Sequence, residues 1–252
     1  MEWSLRVENK VALITGAARR VGAAIARELH AAGFNLMLHY RHSVDDARQL
    51  ADELDAQRSG SIGLVQTELN NPAMLPPIIE HTLSTFGRLD ALVNNASSFY
   101  PTAIGNISEK DWDELMGSNL KAPLFLAQAA TPALRQQHGC IINIVDIHAE
   151  RPLKGYPLYS VAKAGLAGLT RALACELGPE VRVNGIAPGP ILWPEEDDHF
   201  NDLVRQRIIS HTLLKRVGSP EDIARTARFL ICDAPYLTGQ ILAVDGGRSV
   251  NL

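Results

Sequence analysis

A chain of 252 residues that is 46% hydrophobic and 21% charged carries enough apolar material to bury a core, which excludes a disordered segment. Its 24 Lys and Arg against 28 Asp and Glu leave a net charge of −4, without the clustered basic footprint that nucleic acid demands.

Seven short apolar runs, at residues 11–15, 35–39, 62–66, 91–94, 140–145, 181–186 and 240–244, are predicted strands. Several lack polar alternation, as strands covered on both faces of a parallel sheet do. Between the runs, apolar residues recur at spacings of three and four, as in Val21, Ala24, Ile25 and Leu29, and again in Leu158, Val161, Ala162, Leu166 and Leu169, which predicts helices. Strand and helix in alternation predict right-handed βαβ units. The expected fold is a single-domain α/β, Rossmann-like doubly wound parallel sheet of about seven strands, with helices on both faces, spanning 1–252. Residues 188–211, with Pro188-Gly189-Pro190 and then Trp193-Pro194-Glu195-Glu196-Asp197-Asp198, are too long for a tight connection and are predicted to be a substrate-loop insertion.

Cys140, Cys175 and Cys232 are odd in number and outside any C-x-x-C spacing, so neither a disulfide framework nor a metal site is expected. Glu2, Arg6, Glu8 and Lys10 leave no apolar leader, and no run approaches the ~18 apolar residues of a membrane helix. A cytoplasmic protein with no membrane partner is expected.

Thr15-Gly16-Ala17-Ala18-Arg19-Arg20-Val21-Gly22 follows the first strand and opens the first helix, where backbone N–H groups can meet a pyrophosphate. Arg20 stands where a T-G-x-x-x-G-x-G pattern has its middle glycine, and a guanidinium there can bind phosphate oxygens. The second strand ends in His39-Tyr40-Arg41-His42-Ser43, with no acid for a ribose 2′-OH. Arg41, His42 and Ser43 can surround a 2′-phosphate, which favours NADPH; Ser43 can equally cap the second helix. Asn94-Asn95-Ala96-Ser97 follows the fourth strand at the edge where backbone approaches a cofactor. Tyr159 and Lys163, at i and i+4 on the fifth helix of the series, project from one face. A phenol titrates near ~10, and an adjacent ammonium is expected to bring it toward the working range.

With Asn119, the run Asn184-Gly185-Ile186-Ala187-Pro188-Gly189 and Asp245-Gly246-Gly247, these motifs make the chain resemble the short-chain dehydrogenase/reductase family over nearly its whole length. The resemblance implies a proton relay in which Asn119, Tyr159 and Lys163 take part. It also implies NADPH/NADP+ held by Gly16, Arg20, Val21, Gly22, Arg41, His42, Ser43, Leu69, Asn95, Ala96, Ser97, Pro188 and Gly189 together with Tyr159 and Lys163, and a homo-oligomer, commonly a tetramer through late helices such as Leu158 to Leu177. The family's usual serine is replaced by Asp146. A carboxylate ~4 Å from a developing alkoxide costs several kcal/mol at an effective dielectric constant of ~20, which disfavours an ordinary ketone and suits a ring with N–H donors. The alternative is that Asp146 turns away and caps the following loop.

Within the family the chain resembles the pteridine reductase branch, most of all in Asn94-Asn95-Ala96-Ser97-Ser98-Phe99-Tyr100-Pro101-Thr102 together with Asp146. That resemblance implies that Arg20 and Ser97 contact both cofactor and pterin and that Phe99 stacks on the pterin, with Asp146, Tyr159 and Trp193 completing the substrate site. Two departures stand out: the order Arg41-His42-Ser43, and Glu68-Leu69 where Asp-Leu is usual beside the adenine. The expected activity is NADPH-dependent reduction of a pterin or folate C=N bond, with Tyr159 as proton donor assisted by Asp146. The alternatives are a 3-oxoacyl or other carbonyl reductase of the same fold and a catalytically silent NADPH sensor.

Overall fold

The computed structural model describes residues 9–193 and 201–250; Glu2, Arg6, Glu8 and the stretch 194–200 of the expected loop lie outside the described residues. Its seven strands are β1 (Val11–Ile14), β2 (Asn35–Tyr40), β3 (Ile62–Gln66), β4 (Ala91–Asn94), β5 (Cys140–Ile144), β6 (Arg182–Pro188) and β7 (Ile241–Val244). They form one sheet in the order β3-β2-β1-β4-β5-β6-β7, and every pairing is parallel. The order reverses between β1 and β4. The crevice at the carboxyl ends beside such a switch point is where doubly wound sheets bind ligands.

Side-chain alternation splits each central strand between two cores. Ala12 and Ile14 of β1, Leu36 and Leu38 of β2, and Cys140 and Ile142 of β5 face one apolar layer, which includes Ile25 and Leu29 of α1 (Arg20–Ala31) and Ile223 of α8 (Pro220–Arg228). Val11, Leu13, Met37 and Ile141 face the other, with Ile78 of α3 (Leu75–Phe86) and Leu126 and Leu134 of α5 (Ala122–Gln137). Both sheet faces are therefore dry, which is why β1 reads as an unbroken apolar run. The other α-helices among the described residues are α2 (Val44–Asp55), α4 (Glu109–Met116), α6 (Pro157–Leu177) and α7 (Asp202–Ser210).

Most strand boundaries fall within one residue of expectation, and three features depart further. β6 begins at Arg182 and continues to Pro188, which pairs with Val244 while Gly189 N donates to Val244 O at 3.0 Å. This pairing carries Pro188-Gly189 to the crevice. Helices α4 and α5 run into one another through a π turn at Gly117–Lys121, so the helix carrying Tyr159 is fifth when that stretch counts as one helix and sixth when its two halves are counted apart. The expected loop 188–211 is partly helical: Asn201 caps α7 by accepting a hydrogen bond from Val204 N at 3.1 Å.

Gly22 is where α1 meets the crevice most closely. A Cβ there would collide with the carbonyl oxygen of Gly16 and lie 2.7 Å from Asn95 Nδ2. Neither neighbour is free to swing away, because Asn95 Nδ2 donates to both Thr15 O and Gly16 O at 2.9 Å. Gly22→Ala is expected to lower stability in urea unfolding by about 1–3 kcal/mol, the usual cost of overpacking, and to weaken dinucleotide binding in the same preparation.

Candidate active site

The carboxyl edge opens into a cleft of about 680 Å³ running from the β2 end, across the glycine turn, to Trp193. Its volume is in the range of small-molecule sites. The glycine turn is held from three sides. Thr15 Oγ1 accepts from Asn95 N at 2.9 Å and Ala96 N at 3.0 Å. Asn95 holds the Thr15 and Gly16 carbonyls. His39, 1% exposed, accepts from Ala17 N through its carbonyl at 2.8 Å and takes up Gly16 N at Nδ1 at 3.2 Å, while its Nε2 meets Thr67 O at 2.9 Å. Because Gly16 N can only donate and Thr67 O can only accept, the ring must carry its proton on Nε2. Burial pushes the His39 pKa down and keeps it in that neutral form. Neither Thr15 nor His39 was expected as an anchor; only their places at the ends of β1 and β2 pointed that way.

Gly16 has φ +61°, and so does Arg20 nearly, at +55°. A left-handed conformation costs a side-chain-bearing residue about 1–2 kcal/mol, which explains why the related pattern has glycine at this position. Arg20 Nη2 donates to Trp193 O at 3.1 Å, tying the glycine turn to the far lip of the cleft. Trp193 itself lies under the Arg205 guanidinium, 5.5 Å from the ring centroid.

At the centre, Asp146 uses both carboxylate oxygens. Oδ1 accepts from His148 N at 2.8 Å, and Oδ2 accepts from Tyr159 Oη at 2.7 Å. It therefore both caps the turn after β5 and faces the phenol, where the sequence had left these as alternatives. Burial, then the charge of Asp146 and the hydrogen bond to it, hold the Tyr159 phenol well above its ordinary value of 10.0. This reverses the expected downward shift: the ammonium of Lys163 lies 5.6 Å from the ring centroid and donates to Ile144 O at 2.9 Å, whereas the carboxylate touches the phenol oxygen. Lys163, 2% exposed, is pulled down by burial to about 8, with Asp146 opposing.

Asn119 occupies the π turn and does not line the cleft. Its amide donates to Ser98 O at 2.9 Å and Leu115 O at 3.0 Å, and its Oδ1 accepts from Ser97 Oγ at 2.6 Å. It thus supports the 97–98 loop from behind. Phe99 lines the cleft with one face stacked on Tyr156, centroids 4.6 Å apart and planes at 14°, and meets Tyr159 edge-on at 4.8 Å. Gly16, Arg20, Val21, Gly22, Arg41, His42, Ser43, Leu69, Asn95, Ala96, Ser97, Pro188 and Gly189 all line the cleft. Ser43 stands at the N-cap of α2 yet makes no capping hydrogen bond with its side chain. Arg41 faces two acids brought from elsewhere in the chain: its Nε lies 2.5 Å from Glu68 Oε2, and its Nη1 lies 3.5 Å from Glu114 Oε1. Among the described residues no group of three or more His, Cys, Asp or Glu could hold a metal, and no helix is long and apolar enough to cross a membrane.

A parallel sheet with a glycine turn at its switch point and a tyrosine-lysine pair beside it defines a dinucleotide-dependent oxidoreductase architecture. Residues 16–249 match the family model described as enoyl-(acyl carrier protein) reductase. Pteridine reductase 1 of Leishmania tarentolae is 36% identical, covering 95% of this chain and 96% of that protein. The 3-oxoacyl-(acyl-carrier-protein) reductase FabG of Staphylococcus epidermidis is also 36% identical, covering 95% and 98%. The crystal structure of a blue fluorescent protein from a metagenomic library, in complex with NADPH, superposes with a TM-score of 0.89 at 33% identity, covering 96% of this chain and 99% of that one. The chain belongs to the short-chain dehydrogenase/reductase family.

Lys163 gives the site a measurable pH signature. Its folded pKa of about 8 lies below the ordinary 10.5, so the unfolded chain binds the proton more tightly. The contribution to stability is complete only above the unfolded value and is lost as pH falls through the folded one. Between pH 7 and pH 9.5 the natural protein should gain roughly 1–2 kcal/mol relative to Lys163→Met, read as the difference between their urea unfolding free energies.

Proposed function

We propose that this protein is an NADPH-dependent pteridine reductase that saturates a C=N bond of a dihydropterin or a related folate, acting as one dinucleotide-binding domain over 1–252. The observation that carries this reading is the 2.7 Å hydrogen bond from Tyr159 Oη to Asp146 Oδ2. Sequence identity does not choose, since a pteridine reductase and a 3-oxoacyl reductase are both 36% identical. The site chemistry does favour one. A ketone needs the phenol hydrogen for its own oxygen and leaves an alkoxide beside the carboxylate; a pterin edge offers N–H groups that a carboxylate accepts.

The residues suit the cofactor. The glycine turn leaves no room for side chains at Gly16 and Gly22, as a close approach of pyrophosphate requires, and the start of α1 faces the cleft. Bound NADPH would supply hydride to the C=N carbon. The ring nitrogen then needs a proton, and Tyr159, with its pKa held above the ordinary 10.0, carries one at neutral pH. Asp146 orients that phenol and receives substrate N–H groups. With Asp146 negative, Tyr159 neutral and Lys163 positive, the group starts neutral, and the Lys163 ammonium offsets the charge left when the phenol gives up its proton. Phe99, braced by Tyr156, and Trp193 provide flat walls for a bicyclic ring. Asn119 acts through Ser97 and the 97–98 loop. Assembly as a homotetramer, with α6 contributing surface, completes the proposal.

NADPH consumption should be followed with a dihydropterin, dihydrofolate and an acetoacetyl thioester side by side. The pterin or folate is expected to be turned over best, and Asp146→Ser should reduce that turnover by about 100-fold or more while sparing or improving the thioester reaction. A preference for the thioester would favour the carbonyl-reductase alternative, and no oxidation with any of them would favour a sensor.

A further inference from the structure

We propose that Glu68 limits how strongly this protein prefers NADPH over NADH, by competing with the 2′-phosphate for Arg41. The inference rests on the reading of the cleft as a dinucleotide site. The end of β2 supplies no acid of its own, but folding brings two acids to it. Glu68, from the loop after β3, lies 2.5 Å from Arg41 Nε, and Glu114, from α4, lies 3.5 Å from Arg41 Nη1. The Arg41 carbonyl accepts Gln66 Nε2 at 2.9 Å, so the backbone from which the guanidinium extends is fastened to β3, next to Glu68. Arg41 and Glu68 both line the cleft, together with His42 and Ser43.

A guanidinium recognises a phosphate by presenting two N–H groups to two oxygens. Here two of its three nitrogens already face carboxylates. One positive and two negative side chains leave this corner at −1 before a dianionic phosphate arrives. The side chains are 42%, 43% and 31% exposed, so water screens the pairs and a phosphate can displace Glu68 from the guanidinium. The displaced carboxylate nevertheless stays tethered nearby and repels the newcomer. A ribose with a free 2′-OH meets the opposite situation, because Glu68 can accept its hydrogen, the role an acid usually performs from the end of the second strand. Arg41 thus serves the phosphorylated cofactor and Glu68 the unphosphorylated one. Glu68 acts on the phosphate through Arg41, as a specificity-determining residue and not a catalytic one.

The test is direct binding of NADPH and NADH to the full chain, followed by dinucleotide fluorescence, which requires no substrate and is independent of the pterin assignment. Glu68→Gln should tighten NADPH and weaken NADH, raising the ratio of their Kd values about tenfold. Glu114→Gln should move the ratio in the same direction by less, and Arg41→Gln should lower it below that of the natural protein. NADH lacks only the 2′-phosphate, so a variant that merely damages the fold weakens both cofactors alike and leaves the ratio in place. A ratio in Glu68→Gln that rises less than about threefold, or falls, overturns the inference and makes Glu68 an orienting partner for Arg41. Failure of the natural protein to bind either dinucleotide overturns the cofactor reading along with it.

Discussion

The chemistry of the cleft depends on one carboxylate that is bonded at both oxygens. Asp146 sits at the end of β5 with extended backbone, φ −175°. Its Oδ1 is committed to His148 N, which fixes the side-chain rotamer and leaves Oδ2 on Tyr159 Oη. A serine at this position has one hydrogen to give and no charge. The carboxylate reverses both properties, so it can only accept, and its charge raises the phenol pKa. The rest of the site's chemistry follows from that reversal: the phenol is held more firmly in its protonated form, the nearby ammonium becomes the balancing charge, and a substrate that arrives with N–H donors is matched where one that develops an oxyanion is not.

Holding that pair in register is a matter of the layer beneath it. Asn94 Nδ2 donates to Asn143 Oδ1 at 2.8 Å, Asn143 Nδ2 donates to Thr170 Oγ1 at 2.9 Å, and Thr170 Oγ1 donates to Leu166 O at 2.8 Å. All three side chains are buried, within 4% exposure. The chain of bonds ties β4 to β5 and β5 to α6, the strand that leads to Asp146 and the helix that carries Tyr159. Apolar residues would fill the same space, but they would permit α6 to slide along the sheet. Directional bonds between buried groups penalise a shift by leaving each polar atom unpaired, so they fix position more sharply than packing does.

The strands were legible because the pattern that reveals them, apolar runs between helical spacings, is the same pattern that buries them. VALIT at residues 11–15 reads as a two-face-buried strand, and its first four residues form one. The cleft residues were legible wherever a motif sits within a few positions of a strand end, as in Thr15 through Gly22 and Asn94 through Phe99. What escaped were relations between distant segments. Glu68 beside Arg41 and Glu114 beyond it come from different elements, so inspection of the β2 end alone finds no acid. The π turn at Gly117–Lys121 adds one residue to a helical register that periodicity blurs. The phenol shift was misjudged because a spacing of i, i+4 places Lys163 on the same face as Tyr159 but gives neither the 5.6 Å separation nor the 2.7 Å approach of Asp146. Helix α7 was hidden in a polar segment, where Asn201-Asp202 was the only start signal.

Two features that work against folding stability meet at the same edge of the sheet. Arg20 holds a left-handed backbone, and Lys163 is buried, 2% exposed, with its charge disfavoured. Other elements follow local rules: Ser108 and Asp111 form a reciprocal cap on α4, Ser219 and Asp222 do the same on α8, and the two sheet faces are filled by aliphatic side chains. A fold selected for stability alone would place glycine at position 20 and an apolar side chain at position 163. That a strained backbone and a buried ammonium meet at the switch point, where two dry cores hold the surrounding strands fixed, is itself a physical reason to locate the chemistry there.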